Sequence, residues 1–177
     1  DLYFRVGDVV FGFEICEGAW TGKRDGTHLV GKAVDIMINP SASHFSFGKV
    51  KTRRRLVLEG SRAFGCTYLF VNLLGNEAGR AIYDGDVIIA QAGQLVASGR
   101  RFSYRNHVLT TAVVDVEHTR MMQSRTCSFK PEITGERDTA ASKWTSPSRI
   151  AFRKRRSPLP SSPGKPVFAS RKKSFHG

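Results

Sequence analysis

Cysteine is scarce in this chain and poorly spaced for structural work. The 177 residues hold three, Cys16, Cys66 and Cys127, an odd number with no Cys-x-x-Cys pair. That excludes a disulfide framework and a zinc knuckle. The five histidines form no His-x-x-x-His pair, so no metal site is read. No uncharged apolar run approaches the ~18–20 residues that a membrane-spanning helix needs. The opening residues Asp1-Leu2-Tyr3-Phe4-Arg5 lack the basic-then-apolar layout of a signal peptide. These absences set the expectation of a cytoplasmic, reducing setting with no metal and no membrane. A starting Met is also missing, and the chain reads as a fragment or as a coding region clipped at its front.

What is abundant is positive charge, and it is unevenly spread. Residues 1–129 carry 16 Lys and Arg against 12 Asp and Glu, a net +4. Residues 130–177 carry 12 against 3, a net +9. The net charge of +13 therefore belongs mostly to the tail and says little about what the body binds. Ser, Pro, Lys and Arg dominate from Thr139 onward, with few large apolar residues to offset ordering entropy, so residues 130–177 are expected to be a disordered basic tail.

The body alternates between two kinds of pattern. Gly7 to Ile15, Ala33 to Ile38, Cys66 to Leu74 and Leu109 to Val116 are rich in β-branched and aromatic residues and predict strands. Val87–Ala90 and Gln94–Ala97 predict a hairpin around Ala92-Gly93. A short helix is predicted over Thr27 to Lys32. Lys49 to Phe64 predicts a longer one, with Val50, Leu56, Val57, Ala63 and Phe64 on one face and Lys51, Arg53, Arg54 and Arg55 on the solvated remainder. Gly65 is its natural stop. Strands separated by one clear helix indicate an α/β protein with a mixed sheet.

Cys16 sits where an apolar strand gives way to a Gly-containing turn, a place where α/β enzymes expose nucleophiles. Taken alone, a cysteine there reads more readily as a small buried hydrophobe. Its surroundings carry more. Phe13-Glu14-Ile15-Cys16-Glu17-Gly18-Ala19-Trp20 resembles the nucleophile segment of the nitrilase-like glutaminase domain of glutamine-dependent NAD synthetases. Asn39-Pro40-Ser41-Ala42-Ser43-His44-Phe45-Ser46-Phe47-Gly48-Lys49 is similar to the substrate loop of that domain. Gly60-Ser61-Arg62, the Tyr68 to Asn72 strand, Ala81-Ile82-Tyr83-Asp84-Gly85 and Val114-Asp115-Val116-Glu117 follow in the same order. The resemblance covers roughly residues 5–129, which sets a boundary between residues 1–129, the C-terminal part of a carbon–nitrogen hydrolase domain, and the tail.

This resemblance implies an α/β fold, a partial four-layer α-β-β-α nitrilase-like sandwich with mixed sheets. It also implies an enzyme that hydrolyses the side-chain amide of glutamine and supplies the ammonia for ATP-dependent amidation of nicotinic acid adenine dinucleotide to NAD. Cys16 matches the nucleophile and the Glu17 backbone N–H an oxyanion donor. The Glu17 carboxylate, Ser43 and Lys49 match substrate contacts. No cofactor is implied for this part; ATP and Mg belong to a synthetase domain whose motifs do not occur here. The intact enzyme is expected to be a homo-oligomer.

The departures are equally specific. The triad Glu and Lys, and a substrate-contacting Tyr, lie upstream of residue 1, and Gly18 replaces the usual acidic residue after Cys-Glu. The chain is therefore expected to be inactive alone. Two alternatives stand beside this: a stand-alone nitrilase-superfamily amidase, and a basic nucleic-acid-binding protein working through its tail. Nucleic acid is disfavoured because the tail offers Trp144 and a few Phe but no recognisable binding module.

Overall fold

The computed structural model describes residues 3–126, 130–131 and 142–143. The expected disordered tail and Cys127 thus fall almost wholly outside the described residues, as does the unit Pro147–Gly177. Within Asp1–Ser146 a seven-stranded mixed sheet forms the frame. Its strands are β1 (Tyr3–Val6), β2 (Val9–Phe13), β3 (Ile36–Ser41), β4 (Thr67–Asn72), β7 (Val87–Gln91), β8 (Gln94–Ser98) and the two-residue β9 (Ser142–Lys143). A separate hairpin consists of β5 (Leu74–Glu77) and β6 (Ala81–Asp84). The helices are α1 (Thr27–Val30), α2 (Lys49–Ala63) and α3 (Val116–Arg125), with a 3-10 turn over Cys16–Trp20.

The sheet order is β8-β7-β4-β3-β2-β1-β9. At its centre β2, β3 and β4 run parallel, and β7 returns antiparallel beside β4. Strand alternation sends successive side chains to opposite faces. One face gives Val10, Met37, Tyr68, Phe70, Ile88 and Ala90 to a core closed by Leu29 of α1 and Val57 of α2. The other face carries Phe11, Phe13, Ile36, Ile38 and Leu69 half-buried, with Val71 exposed. Of the four layers expected, the described residues thus supply one sheet and a helical layer on one of its faces.

Three sequence expectations need correcting. The strand predicted over Gly7 to Ile15 is the second arm of a hairpin, because Gly7 adopts φ +63 and turns the chain back from β1. The strand predicted over Leu109 to Val116 does not form. Leu109 and Val113 lie exposed with no ladder partner among the described residues, and at Val116 the chain enters α3, capped by Asp115. Arg53, read as solvated surface, is fully buried. Among the described residues no helix is long and apolar enough to cross a membrane.

Candidate active site

The parallel strands β2, β3 and β4 all end on the same edge of the sheet, where open α/β sheets place their ligands. Cys16 follows β2, Ser43 follows β3, and Asn72 closes β4. The Asp84-Gly85-Asp86 turn enters β7 at that edge too. The edge therefore gathers residues that lie far apart in the sequence.

Cys16 is half-buried and holds φ 49, a left-handed angle that costs a non-glycine residue energy. The angle turns the chain sharply from β2 into the 3-10 turn, and the Gly18 N–H donates to the Ile15 carbonyl at 3.0 Å. Glu17 stands exposed in the first turn, where backbone N–H groups lack helical partners. The turn ends at Trp20, whose ring lies 5.8 Å from the Lys49 Nζ.

Lys49 opens α2 directly after Gly48, which turns at φ 80. Its ammonium donates to the His44 carbonyl at 3.2 Å, folding the 43–49 loop upon itself. Burial pushes the Lys49 amine below the ordinary lysine value and repulsion from Arg53 adds to this; Asp84 and the Cys16 thiol act in the opposite direction. Lys49, Cys16 and Asp84 thus share one electrostatic neighbourhood.

Ser43 is buried, and Asn72 holds its backbone at both ends. The Ser43 N–H donates to Asn72 Oδ1 at 2.8 Å, and Asn72 Nδ2 donates to the Ser43 carbonyl at 2.9 Å. Asn72 Nδ2 also donates to Asp84 Oδ1 at 2.7 Å. Asp84 is buried, which acts to raise its carboxyl. Hydrogen bonds from Asn72, Arg53 and Arg101 outweigh that and hold it below the usual carboxylate range.

Beneath Cys16 lies a second polar group. Glu14 is fully buried and accepts from Arg24 Nη2 at 2.5 Å, from the Gly26 N–H at 3.0 Å and from the Tyr68 hydroxyl. Burial acts to raise its carboxyl, but these bonds prevail and hold it low. Every partner fixes it in place, so Glu14 is occupied in holding the loop after Cys16 and is not free to take a proton from the thiol. Burial pushes the Cys66 thiol up to about 12, which leaves it an inert part of the core.

The structure thus draws Cys16, Ser43 and Lys49 to one edge, with Glu17 on its rim. It adds Asn72, Asp84, Arg53 and Arg101, which sequence reasoning passed over. Asn72 and Asp84 lie in segments that resemble the family, but neither matched a site position, and a turn explains the aspartates around Gly85 as well as a site does. Among the described residues no three His, Cys, Asp or Glu side chains are grouped to hold a metal ion.

No protein-family profile matches the chain. It is 34% identical over 150 residues to a human glutamine-dependent NAD(+) synthetase, covering 85% of this chain and 20% of that one. A putative glutamine-dependent NAD(+) synthetase of Schizosaccharomyces pombe is 32% identical over 120 residues, covering 68% and 17%. The chain therefore spans about a fifth of the length of these relatives. The crystal structure of a glutamine-dependent NAD(+) synthetase from Cytophaga hutchinsonii superposes with a TM-score of 0.52 at 47% identity, covering 60% of this chain and 17% of that one. A carbon–nitrogen hydrolase from Helicobacter pylori superposes at 0.58 with 16% identity, over 70% and 46%, and shows the shared fold alone.

Proposed function

The chain belongs, as a partial region, to the family of glutamine-dependent NAD(+) synthetases, and from that premise we propose that it is part of the site that hydrolyses the glutamine side-chain amide. Cys16 carries this reading: a cysteine held in a left-handed turn at the end of a central parallel strand, in the same electrostatic neighbourhood as a partly desolvated lysine. The Cys16 thiolate attacks the amide carbon, and the oxyanion that forms is met by the Glu17 N–H. The C–N bond then breaks, the nitrogen leaves with a proton as ammonia, and a thioester remains. Water cleaves the thioester to glutamate and restores the thiol. Lys49 pairs with the α-carboxylate, Ser43 borders the substrate, and the Glu17 carboxylate faces its amino group.

Glu14 is not the proton acceptor for Cys16, since it is committed to Arg24, Gly26 and Tyr68; the resemblance assigns that role to a Glu that precedes the nucleophile in the intact enzyme. ATP-dependent amidation to NAD belongs to a separate synthetase domain, and the glutaminase steps need neither ATP nor Mg. The same reading includes homo-oligomeric assembly of the intact enzyme and a cytoplasmic location.

Two experiments test it. In a full-length homologue, replacing the cysteine that aligns with Cys16 by Ala abolishes NAD synthesis from glutamine while synthesis from free ammonia persists. Replacing the residues that align with Ser43 or Lys49 by Ala weakens glutamine use about 10–150-fold, the worth of a charge-assisted contact of ~1.5–3 kcal/mol. Equal loss with both nitrogen sources would make these residues structural. In the isolated chain, glutamate release above the buffer rate would show that the base has been misplaced.

A further inference from the structure

Ser43 and Lys49 stand at opposite ends of a loop, and a loop alone does not hold two contacts at a fixed separation. Here both ends are tied to one carboxylate. At the first end, Asn72 grips the Ser43 N–H and carbonyl together and passes its remaining N–H to Asp84. At the second, Lys49 starts α2, and Arg53 follows one turn later on the same helix face. Arg53 Nη1 donates to Asp84 Oδ1 and Oδ2 at 3.1 and 3.0 Å and to Asp86 Oδ2 at 2.9 Å. A third tie comes from Arg101, which donates to Asp84 Oδ2 through Nε at 3.1 Å and Nη2 at 3.0 Å. The Arg101 guanidinium also lies 5.8 Å from the ring centre of Phe45, inside the loop. The Phe45 N–H donates to the Ile82 carbonyl at 2.6 Å, two residues before Asp84.

Resting on the glutamine reading above, we propose that Asn72 and Asp84 are positioning residues for the substrate loop, Asn72 gripping Ser43 and Asp84 fixing Asn72 relative to the helix that carries Lys49. Neither touches the reacting atoms. Their contribution is preorganisation, which lets the loop meet an amino acid without a further ordering cost. The placement of the bonds supports this over a role in the sheet alone. The Asn72 amide spends its oxygen and a nitrogen on loop backbone, and Asp84 is shared by α2, by β4 and by the segment after β8.

The test uses a full-length homologue with both domains and L-glutamine, with residues numbered by the positions of this chain with which they align. In Asn72→Ala, hydrogen exchange of the Ser43–Lys49 loop, read by mass spectrometry, accelerates at least about tenfold, the loss of one net hydrogen bond of ~1.4 kcal/mol, while peptides covering Met37 and Leu69 keep their rates. The KM for glutamine rises by at least a similar factor, while synthesis from free ammonia keeps its rate. Asp84→Asn keeps an acceptor for Asn72 and leaves Asp86 on Arg53. It gives the same two changes and decides the matter should Asn72→Ala not fold. Unchanged loop exchange overturns the proposal, and so does faster exchange with unaltered use of glutamine or an equal loss with glutamine and ammonia. If Cys16→Ala leaves glutamine use intact, the glutamine reading fails whatever the exchange rates show.

Discussion

Glu14 shows at the residue scale how a buried charge is kept. Its carboxylate has no contact with solvent, yet Arg24, Tyr68 and the Gly26 N–H hold it ionised below the usual glutamate range. A carboxyl whose folded value is depressed adds stability above its unfolded value and loses it as pH falls through the folded one. Glu14→Gln is therefore expected to cost about 1–3 kcal/mol near neutral pH, because Arg24 and Tyr68 lose a charged acceptor. The gap between the two proteins stays level from about pH 7 down to the ordinary glutamate value of about 4.3 and narrows below it, as pH falls toward the depressed folded value. Urea unfolding at a series of pH values measures it, and a gap that stays constant below about pH 4 would mean Glu14 is not ionised in the folded chain. Arg53 teaches the matching lesson. It reads in sequence as one of three consecutive arginines on a solvated face, and nothing local sets it apart from exposed Arg54 and Arg55. Its burial is decided by Asp84 and Asp86, some thirty positions away, which only the assembled sheet brings within reach.

At the scale of elements, β2 and α1 meet through a glycine. A Cβ on Gly12 would stand 2.9 Å from Leu29 Cδ1 and 3.2 Å from both Val34 methyls, with no positive φ involved. Gly12→Ala is thus expected to lower unfolding free energy by about 1–3 kcal/mol through overpacking. Gly22→Ala, with nothing within 4 Å of its Cβ, is expected to be close to neutral. Equal denaturant midpoints for the two would show that α1 yields freely. Elements with a strong period were legible in the sequence: α2 begins at Lys49 as its pattern predicts, β4 falls within its apolar run, and β7 and β8 overrun theirs by one residue, whereas β3 begins three residues late and runs on through Asn39-Pro40 to Ser41. Those that depend on a neighbour were not. The β5–β6 hairpin buries only Asp84 among its eight residues, so it carries no core signature. Leu109 to Val116 has the composition of a strand, but composition supplies no partner for its backbone. Of the candidate site, the residues between Cys16 and Lys49 were legible because they lie in two short runs. Asn72 and Asp84 were not, because their importance lies in what they hold.

On the scale of the whole molecule, the sheet has two unlike faces. The helix-covered face is closed, while Phe11, Phe13, Ile36, Ile38 and Leu69 form an apolar band on the other, extended by Val71 at 38% exposure. A contiguous apolar band of this kind binds hydrophobic dyes. The chain is expected to enhance anilinonaphthalene sulfonate fluorescence at neutral pH, and Val71→Lys to reduce that enhancement while leaving the far-ultraviolet circular dichroism unchanged. No enhancement from the unaltered chain would mean the band is covered.

The parallel course of β2, β3 and β4 also governs when the site comes into being. Parallel neighbours cannot be joined by a tight turn, so α2 must cross over between β3 and β4 before they pair. Cys16, Ser43, Asn72 and Asp84 become neighbours only after that crossing and after β7 has docked on β4. No hairpin or helix formed early contains a usable portion of the cleft. Its geometry is a late product of folding that rests on contacts of large sequence separation, the slowest kind to close. A partly folded chain therefore presents a cysteine without a site, open to oxidation and alkylation but not to selective capture of an amino acid.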